Sequence, residues 1–123
     1  MKIQESAEDY LEAIYVLKQE KGMVRSIDIV NHMNFSKPTI SVAMKKFREN
    51  DLITVDSNGY IELTKKGLLI AEKTFEKHNV LAQMFISIGV SKETALEDAC
   101  HIEHCLSDET FDAIKAHWTK HNK

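Results

Sequence analysis

The stretch from Ser26 to Leu63 constrains the fold of this chain more than any other part of it. Ile27, Ile29, Val30 and Met33 form a short apolar run. Asn34 and Phe35 interrupt it, and a second run follows through Ile40, Met44 and Phe47. The spacing is that of helices, Ser36 is a capping residue type, and Pro38 falls in a first turn, where no intrahelical donor is lost. So brief a connection forces a steep crossing and presents the second helix outward. Leu52 to Val55 and Tyr60 to Leu63 then read as two strands around Asp56-Ser-Asn-Gly, with Asn58-Gly59 taken as the type I′ pair that closes a hairpin.

The remaining sequence adds helices only. Ser6 is the expected cap of a first helix over about 6–21, carrying Leu11, Ile14 and Leu17 and followed by Gly22. Thr64 opens a long fourth helix to about Ile88, Ser91 a fifth to about Cys105, and Ser107 a sixth to about His121. Helix, helix, turn, helix, hairpin is the winged helix-turn-helix order. The expected fold is therefore mainly α, with a winged helix-turn-helix domain over residues 1–72 and a helical domain over 73–123.

Charge is compatible with a nucleic-acid partner only locally. The chain has a formal net charge of −3. Within residues 24–66, however, seven basic residues stand against five acidic ones, between acidic flanks. A recognition helix needs an apolar back and a front of small polar and basic side chains that reach base edges and phosphates. Ser36, Lys37, Pro38, Thr39 and Ser41 crowd the N-terminal turns, the end that enters a major groove, and Lys45 and Lys46 follow. Arg25 ahead of the second helix and Asn58 in the hairpin complete the expected DNA-binding set. Serine and threonine at a helix start also read as ordinary caps, so the element order carries this reading, not the residues singly.

The N-terminus has no apolar signal-peptide core, and no apolar stretch approaches the roughly 18 residues that a membrane helix needs. Cys100 and Cys105 lie five apart in one expected helix, which points them in different directions. A reduced, cytoplasmic setting without a disulfide follows.

Cys100, Glu103 and His104 stand at i, i+3 and i+4, which places a thiol, a carboxylate and an imidazole on one helical face. Asp9 and Glu12 repeat the spacing on the first helix, and His78 lies on the fourth between Phe75 and Leu81. Helices converging such side chains build carboxylate-rich metal sites in bundles. Each residue also has a structural reading. Asp9 is three after Ser6, a capping-box spacing, Glu12 suits a solvated face, and His78 and Cys100 suit a core. Spacing alone leaves both open.

Over essentially its whole length the sequence resembles the diphtheria toxin repressor and manganese transport regulator family, in a short form without the SH3-like third domain. Ser6 to Tyr15 is similar to the family's first helix, Ser36 to Ser41 to its recognition helix, and His78, Cys100 to His104 and Leu106-Ser-Asp to its metal-binding helices. The resemblance implies a homodimeric, metal-activated repressor of operator DNA with Mn(II) or Fe(II) as corepressor, one or two ions per subunit. Asp9, Glu12, His78, Glu103 and His104 fall on ligand positions of the manganese branch. Cys100 falls where that branch has a glutamate and the iron branch a cysteine, while Asp9 falls where the iron branch has a methionine. Oxygen donors suit Mn(II) and a thiolate pulls toward Fe(II), Zn(II) or Co(II); five matches of six favour manganese. Ser36, Pro38, Thr39 and Ser41 match DNA-contacting positions, whereas Val42 replaces a base-reaching glutamine of iron-type members.

Metal-dependent repression of metal-ion homeostasis is thus the expected function. The chief rival is a winged-helix regulator that senses a small organic ligand. A carboxylate-bridged dimetal enzyme is a remoter one, because the chain lacks paired Glu-x-x-His motifs. Dimerisation is expected through Met84, Phe85, Ile88, Phe111, Ile114 and Trp118.

Overall fold

The computed structural model describes residues 5–121, with side chains from Ala7 onward. Six helices and one hairpin follow the expected order: α1 Glu5–Lys21, α2 Ser26–Met33, α3 Lys37–Glu49, β1 Ile53–Val55, β2 Ile61–Leu63, α4 Lys65–Ser87, α5 Lys92–Ile102 and α6 Asp108–His121. The fold is mainly α with a winged helix-turn-helix, as the sequence predicts. The chain divides into two compact units, one through Glu72 and one from Lys73, so the division falls inside α4. Ser6 lies within α1 rather than ahead of it, and its side chain is outside the described residues. No helix among the described residues is long and apolar enough to cross a membrane.

The first unit is built around one apolar core. Leu11, Ile14 and Leu17 of α1 meet Ile29 of α2, Ile40, Met44 and Phe47 of α3, and Leu52, Ile53 and Ile61 of the hairpin, all buried. Tyr10 packs edge-on against Phe47, ring centroids 5.7 Å apart, and against Phe35 at 5.8 Å. Burial in this core raises the Tyr10 phenol pKa. The turn between α2 and α3 bends at Asn34, whose φ of 59° is left-handed and whose N–H donates to the Val30 carbonyl at 2.9 Å. Ser36 then caps α3, accepting from the Thr39 N–H at 3.3 Å.

The wing is held on both sides. β1 and β2 pair antiparallel with Ile53 opposite Leu63 and Val55 opposite Ile61, and the Ile61 N–H also donates to the Val24 carbonyl at 2.7 Å. Its turn differs from the expected type I′. Only Gly59 has positive φ, at 83°, whereas type I′ requires it at Asn58 too. The Asp56 carboxylate accepts from the N–H groups of Asn58 and Tyr60, both at 2.9 Å, and the Gly59 N–H donates to the Asp56 carbonyl at 3.0 Å. An acidic residue that bonds its own turn stabilises a three-residue loop ending on a left-handed glycine. After β2, Thr64 donates to the Asp51 carbonyl at 2.7 Å and accepts from the Gly67 N–H at 3.1 Å, starting α4. Gly67 is required there, since a Cβ would sit 2.0 Å from the Leu52 carbonyl oxygen.

The second unit has a smaller apolar centre of Leu81, Ala82 and Ala99, with Phe85, Leu106 and Ile114 against it. Ion pairs join α4 to α6: Lys73 Nζ to Asp108 Oδ2 at 2.6 Å, Lys77 Nζ to Asp108 Oδ1 at 3.6 Å, and Lys115 Nζ to Glu76 Oε2 at 2.8 Å. Lys73, and secondarily Lys77, hold the Asp108 carboxyl below the usual carboxylate range. Glu76 raises Lys115 in the same way. Phe111 is only 1% exposed, beneath the Lys77 ammonium at 5.8 Å. It is a core residue and is withdrawn from the expected apolar surface, on which Ile88 remains 78% exposed.

Candidate metal centre and nucleic-acid interface

Each unit presents its own set of the expected functional side chains. In the first unit Ser36, Lys37, Pro38, Thr39 and Ser41 are all exposed on the opening turns of α3, because Ile40, Met44 and Phe47 turn the opposite face into the core. Ser36 Oγ and Thr39 Oγ1 share a hydrogen bond of 2.8 Å, which orients both hydroxyls at the helix start. Lys45 and Lys46 stand exposed farther along α3. Val42, 63% exposed, lies on the same outer face and offers a methyl surface in place of a hydrogen bond.

Arg25 and Asn58 are exposed at the cap of α2 and in the wing loop. The Arg25 guanidinium lies over the Tyr60 ring, 4.5 Å from its centroid, so the arginine is braced against the base of the wing. Its backbone N–H donates to Asp28 Oδ2 at 2.9 Å. That bond, with Lys21 at 3.1 Å, lowers the Asp28 pKa. The stacking of Arg25 on Tyr60 escapes sequence reasoning because 35 positions separate the two. The only signal is an arginine and an aromatic residue at the edges of neighbouring elements.

Asp9 and Glu12 are also in the first unit, one turn apart on α1 and both partly buried. Ala7, Tyr10, Leu11, Ala13 and Ile14 carry the burial of that stretch, which fixes the direction of the two carboxylates between them.

In the second unit the carboxylate of Glu103 is the centre of a polar cluster. Its side chain has no exposed area, and the residue as a whole is 1% exposed. His78 Nδ1 of α4 lies 3.1 Å from Oε2, and His104 Nε2 lies 3.3 Å from Oε1. The thiol of Cys100 is within 4.8 Å of a Glu103 oxygen. Helix α5 ends at Ile102 rather than near Cys105 as its spacing predicts. Glu103 is its C-cap, with φ −58° and ψ −29°, and its N–H donates to the Ala99 carbonyl at 3.0 Å. Cys100 and Glu103 thus keep their helical relation, while His104 comes from the turn beyond. Cys105 is exposed, as are His32, His101, His117 and His121.

A buried carboxylate is costly unless cations or donors surround it. His78 shares a hydrogen bond with Oε2, whereas the 3.3 Å approach of His104 to Oε1 is not a hydrogen bond. The oxygen, nitrogen and sulfur atoms gathered here are the donor types that divalent transition ions take. The donor set therefore fits a metal ion. Carboxylate and imidazole suit Mn(II) or Fe(II), and the adjoining thiol biases the set toward softer ions.

Comparison with known proteins bears on both units. Residues 2–69 match the family described as the iron dependent repressor, N-terminal DNA binding domain, and residues 64–121 match the iron dependent repressor, metal binding and dimerisation domain. The transcriptional regulator MntR of Escherichia coli O6:H1 is 32% identical over 117 residues, covering 95% of this chain and 76% of that protein. The HTH-type transcriptional regulator MntR of Geobacillus kaustophilus is 33% identical over 109 residues, covering 89% and 77%. Among solved structures, the manganese regulator SloR superposes with a TM-score of 0.80 at 27% identity, covering 97% of this chain and 55% of that one. The chain thus spans about half the length of that structural relative.

Proposed function

The chain belongs to the iron-dependent repressor family, and from that premise we propose that it is a metal-dependent, DNA-binding transcriptional repressor of metal-ion homeostasis. It works in the cytoplasm as a homodimer and catalyses no reaction. The buried Glu103 carboxylate, with His78 and His104 on its two oxygens and Cys100 beside it, is the observation that carries this reading. We assign Asp9, Glu12, His78, Cys100, Glu103 and His104 as the donors for Mn(II) or Fe(II), one or two ions per subunit. We assign Arg25, Ser36, Lys37, Pro38, Thr39, Ser41, Lys45, Lys46 and Asn58 to double-stranded operator DNA.

When bound, the divalent ion supplies positive charge that lets buried and half-buried carboxylates remain ionised. The protein does the rest. Asp9 and Glu12 sit on the helix that backs α2 and α3, whereas His78, Cys100, Glu103 and His104 belong to the unit expected to dimerise. With donor residues assigned in both units, metal binding and DNA binding are coupled. Two reading helices then match successive major grooves, about 34 Å apart. Lys37, Lys45 and Lys46 neutralise phosphates, and Ser36, Thr39 and Ser41 are short enough to approach base edges.

The test is a DNA-binding titration of the full chain against Mn(II), Fe(II), Co(II) and Zn(II), with Cys100→Glu alongside. Tight binding is expected only with a divalent ion, and Cys100→Glu is expected to shift preference toward Mn(II). Metal-independent operator binding would instead point to a regulator of the organic-ligand kind. Unchanged preference and stoichiometry in Cys100→Glu would remove Cys100 from the ligand set. Coupling is reciprocal, so operator DNA must also tighten metal affinity by the same factor as metal tightens DNA affinity.

A further inference from the structure

Helix α6 carries a second group of metal-binding side chains that the proposed function leaves unused. His117 and His121 stand four residues apart on this helix, both exposed, with ring centroids 4.2 Å apart and planes tilted by 42°. They line a groove of about 320 Å³ with Trp118, with Met84, Phe85 and Ser87 from the end of α4, and with Ile88 just beyond it. Two imidazoles at i and i+4 on one helical face chelate a single ion, the spacing that helical zinc sites use. Metal–nitrogen bonds of about 2.0–2.1 Å place the two donor nitrogens roughly 3.3 Å apart in tetrahedral geometry and about 2.9 Å apart at the right angles that Ni(II) and Cu(II) prefer. Ring centres 4.2 Å apart put the two imidazoles close enough to share one ion.

We propose that His117 and His121 form a surface site for a borderline divalent ion, Ni(II), Cu(II) or Zn(II), separate in chemistry from the carboxylate-rich set around Glu103. Two neutral nitrogen donors with water in the remaining positions discriminate against Mn(II), which prefers oxygen ligands and stands lowest in the divalent affinity order. The site therefore takes late transition ions while leaving a manganese-type centre unengaged. Of the other lining residues, Met84, Phe85 and Ile88 are apolar and are also expected to take part in dimerisation, and Ser87 carries only a neutral hydroxyl, so none competes with the imidazoles as a donor.

The single tryptophan of the chain reports on this site directly, because Trp118 lies between the two histidines in sequence and lines the same groove. The experiment titrates Ni(II) into the full chain in saturating Mn(II), following Trp118 fluorescence. Saturable quenching at one Ni(II) per chain is expected. A tenfold or larger weakening is expected in His117→Ala and in His121→Ala, both exposed positions at which helical circular dichroism should be unchanged. In a His78→Ala variant the quenching should keep the midpoint of the unmodified chain. Proton NMR should show selective paramagnetic broadening of the His117 and His121 ring signals at substoichiometric Ni(II). Quenching that survives the double His117→Ala, His121→Ala variant overturns the proposal. So does quenching abolished by His78→Ala, which would place the ion at the other centre.

Discussion

The two units bury opposite things. In the unit through Glu72, three helices and a hairpin close over aliphatic and aromatic side chains, and among the described residues every buried one is aliphatic, aromatic, a methionine or a glycine. In the unit from Lys73, the apolar centre is slight and its most enclosed large side chains include a glutamate. Lys77 and Thr74 are buried there too, while Ile86, Ile88, Leu96 and Ile102 stay exposed. Burial of apolar area stabilises a unit by itself, at about 25 cal/mol per Å². A buried carboxylate does not: its desolvation is offset only by what surrounds it. The first unit is thus a self-sufficient scaffold for a reading helix. The second encloses a carboxylate whose desolvation a bound cation would offset, as a sensing region requires.

The contrast breaks or holds on five measurements. Phe47→Ala removes an aromatic ring from the closed core and should cost about 3–5 kcal/mol in chemical denaturation. A loss below about 1 kcal/mol would deny that this core carries the first unit. Next, Mn(II) at a hundred times its dissociation constant should stabilise the chain by about 2.7 kcal/mol, read as a rise in melting temperature. Glu103→Gln should abolish that rise while leaving the metal-free chain nearly as stable, because it also removes a buried charge. If Glu103→Gln kept the full metal response, the polar centre would be structural only.

Gly67→Ala drives a Cβ into the Leu52 carbonyl and should destabilise the start of α4 by about 1–3 kcal/mol, with no change in metal affinity. Equal stability of variant and parent would contradict the close approach. Asp28→Asn weakens the acceptor at the start of α2 and should cost roughly 1 kcal/mol at neutral pH. The pKa of Asp28 is lowered on folding, so its contribution is complete above the ordinary value of 3.8 and disappears as pH falls through the lower folded value. The parent–variant difference should therefore vanish in strong acid, and a constant difference would refute the assignment. Smallest in stability is Lys45→Ala, an exposed change expected to leave melting unaltered while reducing the salt slope of DNA binding by about 1. An unchanged slope would place Lys45 off the phosphates.

Local pattern made the reading half of the molecule legible. Ile40, Met44 and Phe47 at helical spacing specify which face of α3 is buried, and therefore that Ser36, Lys37, Thr39 and Ser41 face out. Asn34 and Ser36 mark the turn because each residue type satisfies backbone groups in its own way. The metal centre was legible as a set of residue types and spacings, but its burial was not. Nothing local distinguishes Glu103, only 1% exposed, from the exposed Glu97 on the helix that it caps. The structure also moved the end of α5 to Ile102 and took Phe111 into the core.

Sequence by itself therefore determined the order and type of the elements, the outward face of the recognition helix and the candidate ligands, since these depend on neighbours within a turn or two. Tertiary structure alone decided that Asp56 shapes the wing turn with Gly59 as its one left-handed residue. It also decided that Arg25 rests on Tyr60, and that a carboxylate, not an aliphatic side chain, lies enclosed between His78 and His104. The physical reason is that periodicity records which side of an element turns inward. What it meets there depends on residues distant in the chain, whose approach no local spacing encodes.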